Sequence, residues 1–343
     1  MVLNSFSKGR IAWRTRVSVI VCSAIIAGLL AGCGDSTSKE DGSAKHSSSN
    51  VSSTEVAPAG QQSAASSERT ITDELGNEVK LPAEVKSVFA PNMEDSLVAL
   101  GVSPVAQWSN GKLGHFYLQD QLKDVLKIDH SGGLPGPEVL LAHNPDLIVL
   151  HAESYAKNGA YENYAKIAPT YVFKNAAGDI EKSLVTLGDL LGKSKEAEQA
   201  VQAYKQKVSV AKEKLSSVVG DKKVAVIRFA PRGVSLMGGE YFCGYALHQD
   251  LGLGMSKLVE NKTAANISLE ILPELDADFI FVINAYDQGT ERMTEMMASD
   301  IWKSMPAVKN GHVYEVNNQH WLGSGLIAYE KIVDDTVRLL TSK

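Results

Sequence analysis

Cationic and aromatic side chains stand just beyond a series of short apolar runs, and their chemistry is that of anion capture rather than bond making. Arg228 and Arg232 flank the end of the run 223–229, and Trp108 closes the run 102–108 with Lys112, His115 and Tyr117 behind it. His151 and Tyr155 follow 147–150, Asn284 and Tyr286 follow 279–283, and His320 and Trp321 follow 313–316. Guanidinium forks match the paired oxygens of carboxylates or chelates, while indole and phenol faces cover a carbon framework. Trp108, Lys112, His151, Tyr155, Arg228, Arg232, Asn284, Tyr286 and Trp321 therefore form the candidate binding set. The ligand they suit is an anionic, partly apolar chelate.

Catalytic and metal signatures are missing from the chain. It has no G-x-S-x-G, H-E-x-x-H, P-loop or C-x-x-C sequence. His115, His130, His151 and His320 follow no spacing characteristic of a metal site, and direct metal binding needs three or four ligands converging tightly. No cofactor is expected, and no metal bound directly by the protein.

The elements that must position these residues follow from hydrophobic patterning. Residues 85–90, 102–108, 147–150 and 170–173 read as short buried strands in the first half, and 223–229, 279–283 and 313–316 in the second. Helical patterns lie between several of them, which indicates α/β units. In open α/β sheets ligands meet the loops at the carboxyl ends of the strands, which is why the residues above are the candidates. Ala197, Val201, Tyr204, Val208, Ala211, Leu215 and Val218 are spaced 4-3-4-3-4-3, one apolar stripe along a single long helix between the halves. The segment from Glu138 to Asp146, running into Leu-Ile-Val, is echoed from Glu270 to Asp278, running into Phe-Ile-Phe. The fold class expected is α/β, with two similar lobes joined by one long connecting helix.

The ends of the chain give its address. Lys8, Arg10, Arg14 and Arg16 precede an apolar run, 17–30, too short to span a bilayer and suited to a secretory signal. The run ends in Leu30-Ala-Gly-Cys33, which resembles the bacterial lipobox, where the cysteine is acylated and the chain is cut before it. Removing 1–32 takes away four positive charges and moves the formal charge from −6 to −10, which argues against nucleic acid as a partner. Of the three cysteines only Cys243 is left unassigned, so no disulfide within one mature chain is possible. Residues 34–68, rich in Ser, Ala, Gly and Gln, cannot bury enough surface to order themselves. The divisions are then 1–32 signal peptide, 33–69 acylated cysteine and tether, 70–180 first lobe, 181–219 connecting helical region, and 220–343 second lobe. The protein is placed outside the cytoplasmic membrane, held to it by lipid on Cys33.

Taken in order, Asp73-Glu-Leu-Gly-Asn-Glu-Val-Lys-Leu-Pro82, Asp95-Ser-Leu-Val-Ala-Leu-Gly101, Pro145-Asp-Leu-Ile-Val, the long helix, Asp250-Leu-Gly252 and Asp276-Ala-Asp-Phe-Ile resemble one family. It is the helical-backbone class of periplasmic binding proteins, specifically its ferric-siderophore and ferric-citrate group, and the likeness covers about residues 70–340. The resemblance implies a ligand cleft between two lobes and a rigid helix that limits closure. It implies a non-catalytic, monomeric receptor that delivers an Fe(III) chelate to an ABC permease dimer with its ATPase. The iron would be enclosed by the chelator. It also implies an acidic docking residue on each lobe: Asp95 holds the matching position in the first, and Glu240 is the nearest substitute in the second, where Tyr245 stands in place of an acid. The alternatives are cobalamin, haem or a bare metal ion as ligand, an exported α/β hydrolase, or a purely adhesive lipoprotein.

Overall fold

Parallel strand pairs, each entered through an aspartate, organise both halves of the protein. The computed structural model describes residues 68–342 apart from 112 and 241. The signal segment, Cys33, Lys112 and all but the end of the tether lie outside the described residues.

The first half opens with a hairpin, β1 (Arg69–Thr72) and β2 (Glu78–Leu81). Next come β3 (Val88–Phe89) and the short helix α1 (Glu94–Ala99). A small sheet of β4 (Gln107–Asn110), β5 (Leu113–Gly114) and β6 (Lys127–Asp129) has the order β5-β4-β6. The helix α2 (Pro137–Leu141) leads into β7 (Leu147–Leu150), and β8 (Thr170–Val172) completes a parallel sheet of order β3-β7-β8. All four side chains of β7 are buried, as a strand covered on both faces requires.

Two helices follow, α3 (Ile180–Leu190) and α4 (Ser194–Ser216). The 23 residues of α4 span about 35 Å at the usual rise. Its buried face is Ala197, Val201, Tyr204, Val208, Ala211 and Leu215, the expected stripe without its last member. The helix stops at Ser216, and Val219 rather than Val218 turns inward beyond it.

In the second half β9 (Lys223–Ala230), β10 (Gly233–Met237), β11 (Gly254–Met255), β12 (Ala264–Asn266), β13 (Phe279–Asn284) and β14 (Val313–Glu315) form one mixed sheet. Its order is β12-β10-β9-β13-β14, with β11 also against β9. The period of two along β9 divides its side chains between two cores. Val224, Val226 and Ala230 join the core shared with α3, α4 and the C-terminal helix α5 (Leu326–Thr341). Ala225, Ile227 and Phe229 face a separate core with Trp302 and Met305.

The internal echo has a physical role. Asp146 Oδ2 accepts the Lys86 and Ser87 N–H groups at 2.9 Å, fixing the start of β3 beside β7. Asp278 Oδ2 accepts the Lys223 N–H at 2.8 Å, fixing β9 beside β13 in the same way. Eight residues earlier, Glu138 and Glu270 are both exposed. The two segments thus play the same part, each fixing one parallel strand pair.

Candidate ligand-binding cleft

The first-lobe wall is built around two adjacent acids. The chain leaves β3 and turns at once into α1, which puts Glu94 and Asp95 inside the protein at 0% and 3% exposure. Glu94 Oε1 accepts the Trp108 backbone N–H at 2.7 Å, and Oε2 lies 3.2 Å from His115 Nε2. The second contact is an ion pair whose angle falls short of a hydrogen bond. Burial works against the charge on each partner. The mutual attraction outweighs it, so the carboxyl is held below and the imidazole above its ordinary range.

His115 carries this pair into a row of rings. Its centroid lies 5.4 Å from Trp108 and 5.9 Å from Tyr117, and Tyr117 meets His320 of the second half edge-on at 6.4 Å. Beside the row, His151 packs on Tyr155 at 4.5 Å. Burial lowers the pKa of His130, and brings that of His151 down to about 4, so both are neutral at neutral pH. His130 Nε2 and His151 Nδ1 are buried without a hydrogen-bond partner among the described residues. Buried polar atoms of this kind point to an unmet partner. Among the described residues, however, no three His, Cys, Asp or Glu side chains converge closely enough to hold a metal ion.

The second-lobe wall is simpler. Arg228 lies near the carboxyl end of β9, on the face that carries Val224 and Val226, and is half-buried. Among the described residues its guanidinium makes no hydrogen bond and no ion pair. Tyr286 stands beside it. Burial raises the pKa of that phenol, the positive charge of Arg228 opposes the rise, and the net direction is upward. Tyr286 and Asp287 both adopt left-handed backbone, φ 52° and 61°, an unusual state for an aromatic residue and a sign of a loop held by its surroundings. The clamp is visible. Asn284 Oδ1 accepts the Gly289 N–H and its Nδ2 donates to Thr290 Oγ1, both at 2.8 Å, and Asn318 Nδ2 donates to Asp287 at 2.8 Å. A Cβ at Gly289 would run into the Phe229 carbonyl, so that turn requires glycine.

His151 and Tyr155 of the first lobe, and Arg228 and Tyr286 of the second, keep partly accessible positions near or just beyond strand ends, and Trp108 keeps one within a strand. Trp108 sits in the middle of β4 rather than at the end of a strand, because β4 starts five residues later than the patterning suggests. Four expectations are corrected. Trp321 is 0% exposed, packed 4.8 Å from Phe281 with its Nε1 donating to Asp335, so it belongs to the core and not to the cleft. Asn284 is consumed by the loop clamp. Arg232 is exposed in the β9–β10 turn and borders a hollow with Asn266, Ser268 and Arg292, on the side of the second core and away from Arg228. Asp95 cannot be an outward docking acid, since its oxygens accept the Ile327 and Ala328 N–H groups at 2.9 Å and the Tyr117 hydroxyl at 3.0 Å. It caps α5 across 232 residues of sequence, and a Cβ at Gly325 would strike its carboxylate. Glu240 is exposed and receives the Thr263 hydroxyl at 3.5 Å. Glu94, by contrast, carries a role that patterning did not assign; the available signal was two adjacent acids directly after a buried strand.

Comparison with known proteins agrees with this architecture. The family described as "Periplasmic binding protein" matches residues 88–320. The probable siderophore-binding lipoprotein YfiY of Bacillus subtilis is 28% identical, over 85% of this chain and 92% of its own length. The iron(3+)-hydroxamate-binding protein FhuD of the same organism is 29% identical, over 72% and 78%. The crystal structure of Staphylococcus aureus SirA complexed with staphyloferrin B superposes with a TM-score of 0.69 at 26% identity, covering 80% of this chain and 99% of SirA.

Proposed function

The chain belongs to the periplasmic binding protein family, and we propose that it is the extracytoplasmic receptor of an ABC importer that captures a ferric siderophore or ferric citrate for iron uptake. It is a binding protein and not an enzyme. The observation that carries the ligand reading is the pairing of walls. Trp108, His115, Tyr117 and the tilted His151–Tyr155 pair belong to the first lobe, Arg228 and the strained Tyr286 belong to the second, and Tyr117 bridges the two through His320. Aromatic faces and a guanidinium suit a chelator whose own oxygens enclose the iron. Lys112 lies outside the described residues, and only its position four residues after Trp108 in the sequence counts it with this set.

Three further parts of the reading rest on the sequence. The Leu30–Cys33 motif supports acylation of Cys33, as does the likeness to YfiY of Bacillus subtilis, itself a probable siderophore-binding lipoprotein. No helix among the described residues is long and apolar enough to cross a membrane. The mature receptor works as a monomer and docks on a permease dimer. With Asp95 committed to α5, the acids best suited to docking are Glu138 and Glu270, which are exposed, charged alike and related by the internal repeat.

Titration of the full chain with a panel of ferric siderophores and ferric citrate, followed by tryptophan quenching and calorimetry, tests the receptor reading. The expected result is saturable binding of one chelate class at submicromolar concentration. No heat and no quenching with any member of the panel would end it.

A further inference from the structure

We infer that Asn158 is a site of self-modification, turning with water into aspartate or isoaspartate ahead of the other Asn–Gly pairs of the chain, and that the fold is what sets it apart.

An asparagine followed by glycine reacts through its own backbone. The glycine nitrogen adds to the asparagine Cγ, the bond from Cγ to the amide nitrogen breaks, and ammonia leaves with the proton of the attacking N–H. The cyclic imide then takes up water at either carbonyl, which gives aspartate or the isomer whose chain runs through the former side chain. No oxidant, metal or enzyme takes part. Glycine favours the attack because no side chain shields its nitrogen and its backbone turns freely. The step needs an unheld side-chain amide and a backbone N–H that is free to give up its proton.

The sequence contains three such pairs, Asn110-Gly111, Asn158-Gly159 and Asn310-Gly311. All three asparagines are exposed, and none of their side-chain amides makes a hydrogen bond among the described residues. The glycines differ. The Gly111 N–H donates to Asp129 Oδ1 at 3.2 Å, and a negative acceptor opposes loss of that proton. The Gly311 N–H donates to the Val308 carbonyl at 3.1 Å, in the turn that ends the helix Pro306–Lys309. The Gly159 N–H makes no hydrogen bond among the described residues. It stands in a turn where Asn158 and Gly159 are both left-handed, φ 58° and 77°, directly before the short helix Ala160–Tyr164. Residues 157–159 and 309–311 both read Lys-Asn-Gly, so local sequence does not separate these two pairs.

The product falls where the first lobe will register it. Asn158 borders a hollow of about 470 Å³ together with Leu134, Tyr155 and Tyr164. The Tyr164 hydroxyl donates to the Pro135 carbonyl at 2.5 Å, which ties the short helix to another part of the hollow's lining. Either product adds a negative charge to this rim, and the isoaspartyl link also lengthens the backbone at the turn that feeds the helix.

The test holds the full chain in mildly alkaline buffer and follows each asparagine by peptide mapping and mass spectrometry. In the folded protein Asn158 should convert about two- to tenfold faster than Asn310, the factor that one backbone hydrogen bond is worth. In urea the two should convert at the same rate. Asp129→Ala should speed conversion of Asn110 by a similar factor and leave Asn158 unchanged. Conversion of Asn158 no faster than Asn310 in the folded protein overturns the inference, as does a lead that persists undiminished in urea. An unchanged Asn110 in Asp129→Ala overturns the protection assigned to the N–H bond. Melting supplies a second readout. Wild type aged until Asn158 has converted should melt below fresh protein, and Asn158→Gln aged beside it should lose less, since glutamine cyclises far more slowly. Equal losses in the two would overturn the structural consequence.

Discussion

The two walls of the cleft handle charge in opposite ways. In the first lobe each buried charge is answered within the protein: Glu94 by His115 and the Trp108 N–H, Asp95 by the first turn of α5 and Tyr117. In the second lobe Arg228 stands without an acceptor among the described residues. Charges that are satisfied internally hold structure and shape the wall, whereas a charge left unanswered is available to a ligand. The same contrast separates what a mutation should do in each place: loss of stability in the first lobe, loss of binding in the second.

The largest effect belongs to the Glu94–His115 pair. Glu94→Gln leaves a buried imidazolium without its counter-charge, and breaking one partner of a buried pair costs about 3–5 kcal/mol. Chemical denaturation should show that loss, and Glu94→Gln combined with His115→Gln should recover much of it. The pH dependence follows from the two directions. Glu94 is held below its ordinary range, so its contribution is present above the usual carboxylate pKa of about 4.3 and is lost as pH falls further. His115 is held above its range, so its contribution is complete below about pH 6.5 and is lost as pH rises through the raised value. The pair should stabilise most between those limits. A double variant with the same melting profile against pH as the wild type would show that the pair contributes nothing.

Asp95 comes next. Asp95→Asn keeps the shape of the cap but offers one oxygen where α5 uses two, and a lost helix cap costs about 0.5–2 kcal/mol. Gly325→Ala should cost a similar amount by driving a methyl group into the carboxylate. Both variants should retain uptake in cells in proportion to the folded protein. Glu138→Gln with Glu270→Gln should do the reverse, leaving stability and ligand affinity intact while lowering uptake. Should Asp95→Asn melt like the wild type and yet abolish uptake, the docking role would return to Asp95.

These contrasts also mark what patterning alone makes legible. Strands β7, β9 and β13 fall within a residue of expectation because continuous apolar runs bounded by polar residues admit few other readings. The stripe of α4 is equally plain, since six buried positions recur at helical spacing. β4 starts later than patterning suggests because the residues before it form a turn, with Gly101 at φ 70° and Pro104 unable to donate. Side-chain destinations are harder still. Trp321 looks like a cleft residue until Asp335, fourteen positions later on α5, draws its indole N–H inward. Asp95 looks like a surface acid until the N-terminus of α5 arrives from 232 residues away. Local sequence carries the period of burial but not the identity of a distant partner.

The smallest effect on stability, and the sharpest test of the contrast between the walls, is at Arg228. Arg228→Met keeps the length of the side chain and removes the charge. Because no hydrogen bond or ion pair is lost among the described residues, unfolding free energy should stay within about 0.5 kcal/mol of wild type. Ferric chelate binding should fall in the same variant. A loss of more than about 2 kcal/mol, measured by urea denaturation without ligand, would mean that Arg228 has a structural partner after all. The second wall would then resemble the first, with its charge answered from within and nothing held in reserve for an anion.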